Sequence, residues 1–136
     1  MIAEFVERYM TRQADLRAVW ETKHPEDYGE LVLEVVKILR DKSKLHSPDP
    51  DCIHTIDDGG YQGTLLYVIG ESDYQPRHYW WVAIDYGSCS GCDTLQAIKP
   101  YSDTPPTKQQ VDDYMTLSLH IVQRLKSMGE LSMEEP

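Results

Sequence analysis

Three kinds of residue in this chain could do chemistry: cysteine sulfur, paired aspartates and strand-borne aromatics. Cys89-Ser90-Gly91-Cys92 is a C-x-x-C, the spacing of a thiol–disulfide exchanger or of half a zinc site. A redox reading needs a strand that feeds the motif into a helix within a βαβ sheet. Here a strand and a short helix flank the motif, but the surroundings read as an antiparallel meander. A zinc reading needs two more ligands. Cys52-Ile53-His54 offers them on one strand face, because residues two apart point the same way. Cys52, His54, Cys89 and Cys92 would then make a Cys₃His zinc centre. The alternative is a buried Cys52 and a plain tight turn at the C-x-x-C, with no cofactor required.

Asp57-Asp58 precedes Gly59-Gly60. Such a pair can hold a divalent cation or meet a basic partner, or it can serve as turn chemistry, each side chain bonding the local backbone. Asp85 stands inside a strand, but one acid without an identifiable base makes no mechanism. No Ser-His-Asp set, phosphate-cradling loop, H-E-x-x-H or G-x-S-x-G is present. His24, His46, His78 and His120 are scattered and read as surface or capping residues. A metal-dependent hydrolase built on the aspartates therefore ranks below a binding protein. Trp80 and Trp81 must point to opposite faces of their strand, so one can reach solvent. The candidate contact set is Asp57, Asp58, Tyr61, Trp80, Asp85, Tyr86 and Asp93. Aromatics among acids resemble a protein-binding hot spot more than a base-stacking platform, which needs a basic surround.

The charge supports that ranking. The chain has 136 residues with 23 acids against 13 bases, net −10. Between residues 49 and 113 there are 11 acids and only three bases, Arg77, Lys99 and Lys108, whereas each flank is close to neutral. Such a field repels nucleic acid and membrane phosphates and attracts a basic protein surface. It also serves solubility. A second copy of the chain is an alternative partner. An odd count of three cysteines argues for a reducing compartment. No apolar run approaches the roughly 20 residues that cross a bilayer. The first residues show no secretion signal, so the expected location is the cytoplasm.

The elements that would position these residues follow from periodicity. Ile2, Phe5, Val6, Tyr9, Met10, Leu16, Val19 and Trp20 predict an amphipathic helix over about 2–21, with Glu7, Arg8, Arg12, Asp15 and Arg17 on its polar face. Pro25 suits the first position of a second helix whose stripe is Tyr28, Leu31, Val32, Val35, Ile38 and Leu39. Residues 45–51, with Pro48 and Pro50, read as loop. Strand-like runs at 52–56, 64–69 and 79–86, joined by Gly-rich and Pro-containing turns, predict an antiparallel meander. Asp93 would cap a short helix at 93–98. Thr107 and Gln110 match a capping box, opening a last helix with Gly129 at its C-cap. The expected fold is one α+β domain over 1–129: a three-stranded or slightly larger antiparallel meander against an N-terminal helical hairpin and a C-terminal helix. An acidic disordered tail over 130–136 would follow.

Ile56-Asp57-Asp58-Gly59-Gly60-Tyr61-Gln62-Gly63-Thr64 and Tyr86-Gly87-Ser88-Cys89-Ser90-Gly91-Cys92-Asp93-Thr94-Leu95-Gln96-Ala97-Ile98 resemble segments of small proteins encoded by tailed bacteriophages. The Tyr74-Gln75-Pro76 turn and the aromatic strand after it are similar too. The resemblance covers roughly residues 53–98 and implies a setting, the cytoplasm of an infected bacterium, without implying any catalytic residue. In that setting the expected function is an acidic binding protein that inhibits a host defence or nucleic-acid-handling factor, of the anti-CRISPR or DNA-mimic kind. The alternatives from other classes are the zinc or redox C-x-x-C module and the aspartate hydrolase.

Overall fold

The computed structural model describes residues 2–41, 43, 46–59, 63–72, 77–86, 94–98 and 104–127. Within them the chain runs α1 (Ile2–Thr22), α2 (Tyr28–Leu39), β1 (Pro48–Gly59), β2 (Gly63–Glu71), β3 (Tyr79–Tyr86), α3 (Thr94–Ile98), α4 (Lys108–Arg124) and β4 (Lys126–Ser127). The four strands form one antiparallel sheet in the order β1-β2-β3-β4. The α+β class and the meander are as the periodicities predict. No described helix is long and apolar enough to cross a membrane.

One face of the sheet is covered by helices. Tyr67 and Ile69 of β2 and Trp80, Val82 and Ile84 of β3 alternate toward that layer and are buried. They meet Phe5, Leu16 and Trp20 of α1, Leu31, Val32, Val35 and Leu39 of α2, and Tyr114, Ile121 and Val122 of α4. Phe5 and Trp80 join the layers edge-on, with ring centroids 5.9 Å apart. Burying these rings and branched aliphatics is the main source of stability, at about 1.5–3 kcal/mol per side chain.

The ends of the elements depart from the sequence pattern in four informative ways. α2 begins at Tyr28 rather than Pro25, because Asp27 acts as its N-cap and accepts the Glu30 N–H at 2.9 Å. β1 extends back through Pro48 and Pro50. These prolines are tolerated because β1 is an edge strand with a register irregularity between Pro48 and Ile53. Arg8 is buried and Arg12 half-buried, where the helix pattern predicts two solvated charges. Arg8 donates to the Leu39 carbonyl at 3.0 Å, and Arg12 to those of Ile38 and Arg40 at 3.0 and 2.6 Å. Two guanidinium groups thus close the C-terminus of α2, where orphan carbonyls and the helix dipole favour cations. Finally, the capping box at Thr107 and Gln110 forms as predicted, but α4 ends at Arg124 and the chain turns into β4 against Trp80 and Trp81. The expected Gly129 cap and the 130–136 tail lie outside the described residues.

Candidate functional site

The outer face of the sheet carries the even-numbered residues of β1 from His54 onward, beyond its register irregularity, the even-numbered residues of β2 as far as Val68, and the odd-numbered residues of β3. Cross-strand rows on it are His54–Val68–Trp81, Ile56–Leu66–Ala83 and Asp58–Thr64–Asp85. No described helix packs there. Ile56 is 53% exposed; Leu66, Val68, Tyr79, Trp81 and Ala83 are half-buried. Lys126 of β4 holds its ammonium 5.2 Å from the Trp81 ring centre, a cation–π contact at the far edge. At the hairpin end, Asp85 accepts the Thr64 hydroxyl at 2.9 Å.

The sequence-derived contact set is split by this geometry. Trp80 is 1% exposed and sealed in the core, so a partner cannot reach it; its neighbour Trp81 has the accessible ring. Asp57 and Tyr86 lie at the same end of the sheet as Asp85 but on the helix-side face, where the Tyr86 hydroxyl donates to Asp57 at 2.5 Å. Asp58 sits opposite Thr64 in the register. Tyr61 and Asp93 lie outside the described residues.

Of the expected zinc ligands, only Cys52 and His54 are among the described residues. Cys52 and His54 are neighbours, with Sγ and Nε2 4.0 Å apart. Cys89 and Cys92 lie outside the described residues. Tyr86, the last described residue before them, is in register with Gly63 and, through it, Gly59. Cys52 lies seven positions from Gly59, roughly 23 Å along the strand, near the opposite end of the sheet.

A third constellation escapes the sequence patterns. Glu71 is the last residue of β2 and continues its inward alternation after Tyr67 and Ile69, yet it is an acid only 6% exposed. Its Oε2 accepts the backbone N–H groups of Arg77 and His78 at 2.8 and 2.9 Å, and sits 3.3 Å from His78 Nδ1. Its Oε1 meets His46 Nδ1 at 2.7 Å. Pro48 is in register with Glu71, which brings His46, two residues earlier, over the carboxylate. His78 is fixed from the other side, its carbonyl accepting the Glu71 N–H at 3.2 Å. The two imidazole rings lie face to face, 3.5 Å between centroids and 30° between planes.

Burial alone would raise the Glu71 pKa. The hydrogen bonds from His46, from the Arg77 and His78 backbone and from the His78 ring outweigh it and lower the value from 4.5 to about 2. An ionised carboxylate only accepts, so both Nδ1 atoms carry the hydrogen in these bonds. Among the described residues, His46, Glu71 and His78 are also the one group of three whose donor atoms gather closely enough for a metal ion, all within 4.8 Å of one another.

The remaining described histidine with a defined role, His24, is structural. Its Nε2–H donates to the Thr104 carbonyl at 2.8 Å, so Nδ1 accepts the Tyr114 hydroxyl at 2.6 Å. No protein-family model matches the chain, and neither a curated protein nor a solved structure matches it.

Proposed function

We propose that the chain is a small acidic binding protein that docks a basic protein surface through the outer face of its sheet. The observation that supports this is the outer face of the sheet: Ile56, Leu66, Val68, Tyr79 and Trp81 form a strip that no described helix covers. A partly exposed tryptophan flanked by aliphatics is the composition of a contact hot spot. The strip belongs to the segment with 11 acids and three bases, and Asp85 marks its hairpin end. Such a field steers a basic partner and makes association fall with salt.

The resemblance to bacteriophage proteins gives the proposal its setting, an infected bacterium. The partner is then a host factor whose own surface is basic because it handles nucleic acid, and binding inhibits it. The apolar strip makes this a mixed contact, in which carboxylates speed encounter and Trp81 and Ile56 slow release.

The test begins with retention of bacterial proteins on the tagged chain at low and high salt. The captured protein is then purified and titrated against the Ile56→Lys, Trp81→Ala and Asp85→Lys variants. Each variant should keep the wild-type circular dichroism and lose at least tenfold in affinity. No salt-releasable partner, or equal affinity of all three variants, would refute the proposal.

A further inference from the structure

We propose that His46, Glu71 and His78 form a binding site for one divalent transition-metal ion of the zinc class. The site is separate from the outer sheet face, since Glu71 continues the inward alternation of β2, and the inference stands whether or not the docking proposal holds.

The argument starts from the donors. Two imidazoles and a carboxylate suit zinc, cobalt, nickel or copper, whereas magnesium and calcium prefer all-oxygen shells. The three donor atoms lie within 4.8 Å of one another. With metal–nitrogen and metal–oxygen bonds near 2.0–2.2 Å, ligands of a tetrahedral site stand roughly 3.4 Å apart. The widest pair must therefore close by at most about 1.4 Å, while His46 Nδ1 and Glu71 Oε1, now 2.7 Å apart, must open by about 0.7 Å, movements within reach of ring rotation. Both rings are about one-third exposed, at 34% and 35%, so they have room to turn.

The carboxylate is the fixed point. Oε2 is held by two backbone N–H groups at the neck of the β2–β3 connection, where Glu71 and His78 also pair through the main chain. Among the described residues Oε1 is held by the His46 ring alone, so it is the oxygen that turns to an ion. The hydrogens that now join Nδ1 of each ring to the carboxylate occupy the place of the metal. Binding moves each from Nδ1 to Nε2, with no net proton gained or lost by a neutral ring. Three protein ligands and a solvent-facing side leave a fourth position for water.

The competing reading is a purely structural clasp that ties the α2–β1 connector to the β2–β3 neck. The two are separated with untagged, chelator-treated protein, titrated with Zn²⁺ by calorimetry and with Co²⁺ by visible absorption. The expected result is one ion per chain, the intense visible bands of four-coordinate cobalt, and a Zn²⁺-dependent rise in melting temperature that Mg²⁺ does not reproduce. Ring ¹⁵N spectra should show His46 and His78 changing tautomer on Zn²⁺ addition. His46→Asn and His78→Asn should each weaken Zn²⁺ by more than about 100-fold, beyond the 10–100-fold typical of groups outside the ligand shell. The triple variant Cys52→Ser, Cys89→Ser, Cys92→Ser should bind as wild type. Absence of one-to-one binding to the wild-type chain overturns the proposal without reference to any variant. So does binding that survives both histidine changes or disappears with the cysteines.

Discussion

Replacing Glu71 by Gln tests how much the buried carboxylate contributes to the fold. In the native chain one ionised group meets four N–H donors, two from backbone and two from imidazole. The amide has a single accepting oxygen and turns a donor toward at least one of them. The fall of the carboxylate pKa from 4.5 to about 2 corresponds to about 3 kcal/mol at full value, since each unit is about 1.4 kcal/mol. Water reaching the one-third-exposed rings screens part of that, leaving about 2 kcal/mol. For a domain held by roughly 5–15 kcal/mol, with a urea slope of about 1–3 kcal/mol per molar, the midpoint should drop by about 1 M. The folded pKa is depressed, so the contribution is complete above pH 4.5 and is lost as pH falls toward 2. Urea melts of wild type and Glu71→Gln, both with chelator present, should therefore differ most near neutrality and converge toward pH 2. A difference below about 0.5 kcal/mol at neutral pH, or one that persists unchanged into acid, would refute the electrostatic account.

Two other perturbations probe the sheet and the core. Trp80→Ala should cost about 3–5 kcal/mol by opening a cavity between β3 and α1, because Trp80 is 1% exposed and packs on Phe5; Trp81→Ala should cost under about 1 kcal/mol, as thermal melts of the pair will show. In alkali, Tyr67 and Tyr114 have pKa values pushed by burial from 10.0 up to about 12. These raised values stabilise the fold fully below pH 10 and progressively less toward pH 12, so tyrosinate absorbance should rise in a late step coincident with unfolding, and Tyr67→Phe should delay that step; simple titration of all tyrosines before unfolding would contradict it.

Much of the fold was legible because its signals are local. The α1 stripe, the Thr107–Gln110 capping box and the β3 alternation each declare themselves within a few residues; the structure contains the capping box and the alternation, and the stripe through Phe5, Tyr9, Leu16 and Trp20 but not Met10, which is 55% exposed. What was hidden depends on pairing between distant segments. Pro48 and Pro50 looked like loop residues because nothing local tells an edge strand from a connector; pairing with β2 decides it. Lys126 and Ser127 had no strand signature at all and are strand only because Trp80 and Trp81 offer an edge. Arg8 and Arg12 read as solvated helix charges, and only the arrival of the α2 C-terminus beside α1 makes them caps.

The sites follow the same rule with sharper consequences. Parity placed Cys52 beside His54, and the structure has them 4.0 Å apart, whereas Cys89 and Cys92, to which motif spacing directed attention, lie outside the described residues. His46 and His78 carried no motif, since their 25- and seven-residue separations from Glu71 match no ligand spacing. One signal was nevertheless present. Extending the inward alternation of Tyr67 and Ile69 by one step lands on Glu71, and an acid at a core-facing strand position must find donors or lose its charge. At a strand end the available donors are the backbone of the following turn and whatever residue pairs opposite, which here means Arg77, His78 and the segment entering β1 at Pro48. Starting from the unexplained acid and asking which groups the strand ends can bring to it reaches His46 and His78, where starting from ligand spacing does not.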